Sequence, residues 1–291
     1  MNPNPKFDVI VCGSLHLDIL VRAPSLPRID ETAVGHMWQQ LCGGKGGNQA
    51  VQAARFGAET AMIGRIGKDG FGETLLENLV AAGIDSRMVK SDPVKGTGMS
   101  VAILQDNGEY GAVIVSGSNL EISPESLKQD WAELGGAKVL VLQNEVPHTV
   151  NVAAAKCARM HGAQVIFNAA PARSLQGDLS ENVDVLVVNR VEAEMISGMM
   201  VTDRSSAILA LPALSANARS VVVTLGGGGL VVKDKSASAV EIEALPVKVT
   251  SAHGAGDCFV GVLAACLAKG KGLVDACRLA NETAAAFVSR R

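Results

Sequence analysis

Short apolar runs rich in Val and Ile recur along the chain with segments of helical spacing between them. This alternation constrains the fold more than any other feature. The runs are Phe7–Cys12, Thr60–Ile66, Val139–Leu142, Gln164–Asn168, Asp184–Val188 and Ser220–Leu225. Helical spacing falls at Asn48–Phe56, Gly70–Ala82, Val150–Met160 and Val191–Ser197. A strand that is apolar on both sides must be covered on both, and crossover helices do this while making successive strands parallel. The expectation is an α/β fold with a mostly parallel sheet under two helical faces. Ligands of such sheets lie at the carboxyl ends of the strands.

Two stretches break the alternation. Residues 15–41 and 96–117 have half-buried strand character, and Gly98–Leu104 and Gly111–Ser116 flank Asp106-Asn107-Gly108. That pattern predicts a hairpin whose Asn-Gly pair supplies the positive φ of a tight turn. Both stretches are expected to form a small β-layer, a lid, inserted into one domain spanning 1–291. No repeat, low-complexity segment or long linker divides the chain.

A chain of 291 residues buries a large core without needing a disulfide or a metal. The net charge is −3 and no run of Lys or Arg exceeds two residues, which argues against a nucleic-acid partner. Six cysteines without a CxxC pair read as reduced core thiols in a cytoplasmic protein. The opening MNPNPKFDVIVCGS lacks the plan of a secretory signal, and the longest apolar stretch, Cys258–Ala268, is too short to cross a bilayer.

Among the 31 glycines, four clusters carry chemistry. Neither GxxxxGK[ST] nor GxGxxG occurs, so a P-loop or a dinucleotide-binding turn is not indicated. Residues 42–50, CGGKGGNQA, place Lys45 and Asn48 among glycines that let backbone approach a polyhydroxyl ligand, or else form a flexible turn before a helix. His253-Gly254-Ala255-Gly256-Asp257 opens a long apolar helix, whose first N–H groups suit an anion. Asp257 there reads either as a helix-start residue or as a base beside a phosphoryl group. Thr224-Leu225 followed by Gly226–Gly229 ends a Val-rich strand, as a nucleotide loop or a hairpin. Asn189 and Glu192, three apart, suit a hydrated Mg²⁺ or form an N-cap with an acidic first turn.

In order, these pieces resemble the ribokinase-like carbohydrate kinase family, the phosphofructokinase-B group, from about Phe7 onward. The resemblance is carried by Gly13-Ser14 with Asp18, GGKGGNQA at 43–50, Gln143-Asn144-Glu145 and Asn168-Ala169-Ala170-Pro171. It continues through NxxE at 189–192, Thr224-Leu225-Gly226 and GAGD at 254–257. It implies a three-layer α/β/α sandwich with a β-sheet lid, and ATP-dependent phosphorylation of a primary hydroxyl on ribose or a related sugar. Asp18, Gly44, Lys45, Asn48 and Glu145 would contact substrate hydroxyls. Asn189, Thr224, Gly226 and Gly229 would line the nucleotide site, with Glu192 serving Mg²⁺ through water. Gly254, Ala255 and Gly256 would form the anion hole beside the base Asp257. A homodimer through the lid is implied. A nucleoside kinase and a catalytically silent sugar-binding protein stay open as alternatives, the first because His16 stands where ribokinases carry Asn.

The family also implies a monovalent cation beside the anion-hole loop, held by an Asp six positions before the base and by oxygens of a C-terminal segment. Here that position is Ser251, followed by Ala252, and the sequence stops at Arg291, short of that segment. Replacing a carboxylate by a neutral hydroxyl weakens any cage that must compete with the ion's hydration. Activity is therefore expected to be insensitive to potassium, checked as kcat/KM with and without KCl at matched ionic strength. An activation of about tenfold or more, worth ~1.4 kcal/mol, would contradict this.

Overall fold

The structure, a computed structural model, describes residues 5–173, 177–235 and 237–289. The chain begins with β1 (Phe7–Cys12), β2 (His16–Ala23) and β3 (Met37–Gly43), then α1 (Lys45–Arg55), β4 (Thr60–Gly67), α2 (Gly70–Ala81) and β5 (Asp85–Asp92). It continues through β6 (Gly98–Gln105), β7 (Tyr110–Val115), α3 (Leu127–Leu134), β8 (Ala137–Gln143), α4 (His148–Met160) and β9 (Gln164–Asn168). Next come the short α5 (Gly177–Ser180), β10 (Val185–Asn189), α6 (Arg190–Ser197), α7 (Arg204–Ser215) and β11 (Ser220–Thr224). The last elements are β12 (Leu230–Lys233), β13 (Val240–Ile242), α8 (Ala255–Ala268) and α9 (Leu273–Ser289).

Nine strands form one sheet in the order β13-β12-β11-β10-β9-β8-β1-β4-β5. Pairing is parallel from β11 to β5, and β12 and β13 join antiparallel at one edge. The period-two geometry of strands divides the apolar residues into two cores. Val9 and Val11, Val139 and Val141, and Val185 and Val187 face α1, α2, α8 and α9. Ile10 and Cys12, Leu140 and Leu142, and Leu186 and Val188 face α3, α4, α6 and α7. These are the three layers that the uninterrupted apolar runs require.

From β1 the chain proceeds to β4 and β5 on one side, then returns to β8 beside β1 and proceeds the other way. The crossover helices change faces at this reversal, which opens a crevice beyond the carboxyl ends of β1 and β8. A second sheet, β3-β2-β6-β7, stands over the same end. Its outer pairs are antiparallel and its central pair, β2 with β6, is parallel. Asn119 pins the root of this sheet: its Oδ1 accepts from Leu15 N at 2.9 Å, while its Nδ2 donates to Leu15 O at 2.8 Å and Ser116 O at 3.0 Å.

Three local details differ from the sequence expectation. Helix α1 starts at Lys45, not Asn48, although Gly46 and Gly47 are poor helix formers. Packing outweighs propensity here, because a Cβ at Gly46 would lie 2.6 Å from Ser14 N. The hairpin β6–β7 forms, but of the Asn-Gly pair only Gly108 takes positive φ, so the strands join through a four-residue loop (106–109). Helices α3, α7 and α9, which the apolar runs do not single out, cover the two faces; α7 accommodates Pro212 in its interior.

The contact of α1 with α8 is a tight constraint on the body. A Cβ at Gly261 would lie 2.5 Å from Gln49 O and 2.9 Å from Ala53 N, so only glycine allows the two backbones to meet. Gly261→Ala is expected to cost ~1–3 kcal/mol by forcing the helices apart, read as a lowered midpoint of thermal unfolding.

Candidate active site

Adjacent strands deliver polar residues to the carboxyl edge: Ser14 after β1, Glu145 after β8, Asn168 at the end of β9, Asn189 ending β10 and Thr224 ending β11. The N-termini of α1 and α8 meet there. A cavity of about 230 Å³ is lined by Lys45, Asn189, Glu192, Thr224, Gly256 and Asp257, among others. A second, of about 540 Å³, lies between the Gly226–Gly229 turn, the 244–249 segment, α8 and α9. Thr224, Gly256 and Phe259 line both, so the two spaces adjoin.

Asp257 lines the smaller cavity, next to the shared Gly256, in the first turn of α8. Its side chain is buried, with Oδ2 accepting from Asn48 Nδ2 at 3.1 Å and Oδ1 from Gln49 Nε2 at 3.0 Å. Burial raises its pKa above the ordinary 3.8; the Lys45 charge and the two amide hydrogen bonds pull it down, and Glu145 pushes it up again. The net shift is upward, so desolvation prevails. Gly254 caps α8 with φ of 78°, a conformation suited to glycine. Ala255 N–H donates to Ala252 O within the loop, whereas Gly256 and Asp257 belong to a first turn that offers their N–H groups no acceptor inside the helix.

On the lid side, Glu145 is a hub. Its Oε2 accepts from Ser14 Oγ and, at 2.8 Å, from Lys45 N, and it lies 3.8 Å from His16 Nδ1. Asp18, on β2, accepts from Ser100 Oγ of β6 and packs against Gly43. Asp18, Gly44 and Glu145 therefore gather around the start of α1 without lining either cavity; Lys45 and Asn48 connect that cluster to Asp257. The glycine run has a simpler physical reason than ligand approach. Gly44, at φ of 83°, would place a Cβ 2.7 Å from His16 N, and a Cβ at Gly47 would meet the Leu15 side chain at 2.8 Å. These glycines fit the chain to its own 14–16 segment.

Asn189 and Glu192 form a capping box. Glu192 N donates to Asn189 Oδ1 at 3.0 Å, and the Glu192 carboxylate accepts from Asn189 N and Nδ2, each at 2.8 Å. Burial raises the pKa of Glu192, partly offset by the Asn189 backbone hydrogen bond and Lys45 and reinforced by Asp257. No cluster of three or more His, Cys, Asp or Glu with metal-binding geometry occurs among the described residues. With both carboxylate oxygens engaged by Asn189, a Mg²⁺ at this position fits best through its own waters. The Gly226–Gly229 segment forms the hairpin turn between β11 and β12; Gly226 and Gly227 face open space, while a Cβ at Gly229 would meet Ile242 O at 2.2 Å. The hairpin and cavity-lining readings are both satisfied.

Sequence reasoning did not assign roles to Ser14, Gln49, Ser100 or Asn168. For Gln49 a signal was available, since it is a polar residue on the buried side of an otherwise small and apolar helix face.

The chain matches the pfkB family carbohydrate kinase profile over residues 6–291. It is 32% identical to a ribokinase of Haemophilus influenzae over 282 residues, 97% of this chain and 92% of that one. It is 35% identical to a ribokinase of Mus musculus over 263 residues, covering 89% and 81% of the two chains. A solved structure of Arabidopsis thaliana ribokinase complexed with ribose and ATP superposes with a TM-score of 0.89 at 28% identity, over 96% of this chain and 92% of that one. No helix among the described residues is long and apolar enough to cross a membrane.

The environment of Asp257 makes a prediction of definite sign. Because its pKa is raised, the carboxylate protonates at higher pH than an ordinary Asp, and removing a nearby positive charge moves the titration further up. Titration of the Asp257 carboxyl by carbon-13 NMR is expected to give a midpoint above 3.8, higher still in Lys45→Met. A Lys45→Met midpoint at or below wild type would contradict the assignment.

Proposed function

The chain belongs to the pfkB family of carbohydrate kinases, and from that premise we propose that it transfers the γ-phosphoryl group of ATP to a primary hydroxyl of ribose or a related sugar, with Asp257 as the general base. The observation that carries this reading is the position of Asp257. A buried carboxylate, hydrogen-bonded by two amides, lines a cavity together with Lys45 and Asn168, and that cavity adjoins a larger one suited to a nucleotide.

Phosphoryl transfer depends on positioning the attacking oxygen and stabilising charge on the equatorial oxygens. The raised pKa makes Asp257 a stronger base than a surface carboxylate, and removing the hydroxyl proton is its role. Gly254, Ala255 and Gly256 form the anion hole at the start of α8, where the first-turn N–H groups of Gly256 and Asp257 have no acceptor inside the helix and the helix dipole favours the developing negative charge. Asp18, Gly44, Lys45, Asn48 and Glu145 bind the sugar hydroxyls as the lid sheet comes down and excludes water. Thr224, Gly226 and Gly229 cradle the nucleotide, and Asn189 supports the phosphate region. Glu192 would hold a Mg²⁺ through water, and that ion would supply neutralisation of the polyphosphate.

His16 supports a sugar over a nucleoside. Its ring is buried with Nδ1 3.8 Å from Glu145, so it is placed to orient that carboxylate rather than to stack on a base. The four-stranded sheet is read as a lid on a single domain. Val113, Val115 and Trp38 are exposed on it, which favours a homodimer through this sheet, since exposed strands invite pairing unless covered. Six free cysteines fit a cytoplasmic address.

ADP release with a panel of pentoses, hexoses and nucleosides tests this reading. Turnover is expected with ribose or a close relative. Asp257→Asn is expected to lose about 10²–10⁴-fold in kcat while remaining folded by circular dichroism. A variant that kept more than half the wild-type kcat would remove Asp257 from the role of base.

A further inference from the structure

Gln49 is a buried polar side chain that lines neither cavity and holds one oxygen of Asp257. It projects from α1 into the interior, wholly buried, and its Nε2 makes two hydrogen bonds: to Asp257 Oδ1 at 3.0 Å and to Asn168 Oδ1 at 3.1 Å. Asn168 in turn donates through Nδ2 to Val187 O at 3.2 Å. A chain of amides thus runs from the backbone of β10, through Asn168 at the end of β9 and Gln49 on α1, to one oxygen of the Asp257 carboxylate. It joins three elements that are far apart in sequence.

The orientation of the Gln49 amide is fixed by this chain. Turned over, Oε1 would face a carboxylate oxygen and an amide oxygen, both of which only accept. With Nε2 in place both of its hydrogens are used, and Oε1 is left buried with no hydrogen-bond partner among the described residues. Burying an acceptor without a partner destabilises the folded state, and an apolar side chain of the same length would avoid it. Packing therefore gives no reason for an amide at this position. The two donated hydrogen bonds do.

We infer that Gln49 is a positioning residue, which transmits the rigidity of the sheet through Asn168 to Asp257 and fixes which lone pairs of the carboxylate face the cavity. Asn48 holds the other oxygen from the same helix, so the two amides together set the plane of the carboxylate. Gln49 is neutral, and the charged or titratable groups around Asp257, namely Lys45, Glu145, Glu192 and His253, are untouched when it is replaced. Losing its hydrogen bond also moves the Asp257 pKa further up, so kcat is read across a pH series, and the loss that persists on the alkaline side is the part due to orientation. The inference rests on Asp257 being the base.

Gln49→Met keeps the length and removes the donors. With ribose and ATP its kcat is expected to fall about ten- to hundredfold, the order of loss from a misaligned reacting group, while KM for both substrates stays within about twofold. Its thermal midpoint is expected to fall modestly, because the substitution removes one unpaired acceptor, Gln49 Oε1, and leaves Asp257 Oδ1 and Asn168 Oδ1 without this donor. A kcat within about twofold of wild type would overturn the inference, as would a loss confined to KM, which would make Gln49 a substrate contact. If Gln49→Met does not fold, Gln49→Asn, with its amide one methylene short of the carboxylate, is read by the same criteria. Asp257→Asn measured alongside separates the two claims. An inactive Asp257→Asn beside a normal Gln49→Met refutes only the positioning role, whereas an active Asp257→Asn refutes the base beneath it.

Discussion

The contact between α1 and α8 is the constraint on which the site depends. Asn48 and Gln49 reach Asp257 across more than two hundred residues of sequence, and they do so because Gly261 lets the α8 backbone lie against Gln49 O and Ala53 N. A side chain there would move the helices apart by more than a hydrogen bond tolerates. Both helices also begin at the carboxyl edge of the sheet, so the same packing points two sets of first-turn N–H groups at one place. The amphipathic face of α1 and the small-residue surface of α8 therefore do more than fill the core: they set the distance between the start of α1 and Asp257.

Charge at this junction is balanced rather than cancelled. Lys45, Asp257, Glu192 and Glu145 lie close together, and burial raises the pKa of both Asp257 and Glu192 despite the ammonium. In a dry site each carboxylate is stabilised mainly by hydrogen bonds, and the arrangement reflects this. Asp257 has two amides, Glu192 has its capping partner Asn189, and Glu145 has a hydroxyl and a backbone N–H. None relies on an ion pair alone, which desolvation would make costly. The electrostatic design leaves room for a polyanionic ligand without requiring one for folding.

Much of the fold was legible in the sequence because uninterrupted Val/Ile runs can be satisfied in few ways. Phe7–Cys12 and Gln164–Asn168 form strands with the expected limits, and the carboxyl edge collects the polar residues as the topology requires. What escaped was anything that depends on distant contacts. The earlier start of α1 follows from Ser14 lying under Gly46, and the hairpin loop from how β6 and β7 pair, neither of which is a local property. Within the site, motif residues such as Asp257 and Asn189 stood out, whereas Gln49 and Asn168 acquire meaning only when two strands and a helix are brought together. The glycine run was legible as a special segment but not for its cause: Gly44, Gly46 and Gly47 accommodate the chain's own 14–16 segment.

That cause links the lid to the rest of the site. The 14–16 segment is both the exit from β1 and the root of β2, and Glu145 receives Ser14 Oγ and Lys45 N on a single oxygen within reach of His16. One carboxylate thus joins the root of the small sheet, the end of β8 and the start of the helix whose Asn48 and Gln49 hydrogen-bond Asp257. Asn119 binds the same root from the other crossover through Leu15 and Ser116. A displacement of β2 relative to the body must therefore be accommodated beyond these bonds, in the strands of the lid, or be transmitted to Lys45 and the first turn of α1. Packed interiors resist continuous deformation, so these bonds hold the root of the small sheet at a fixed place on the body. The position of Asp257 is thereby tied, through Lys45 and α1, to the root of that sheet.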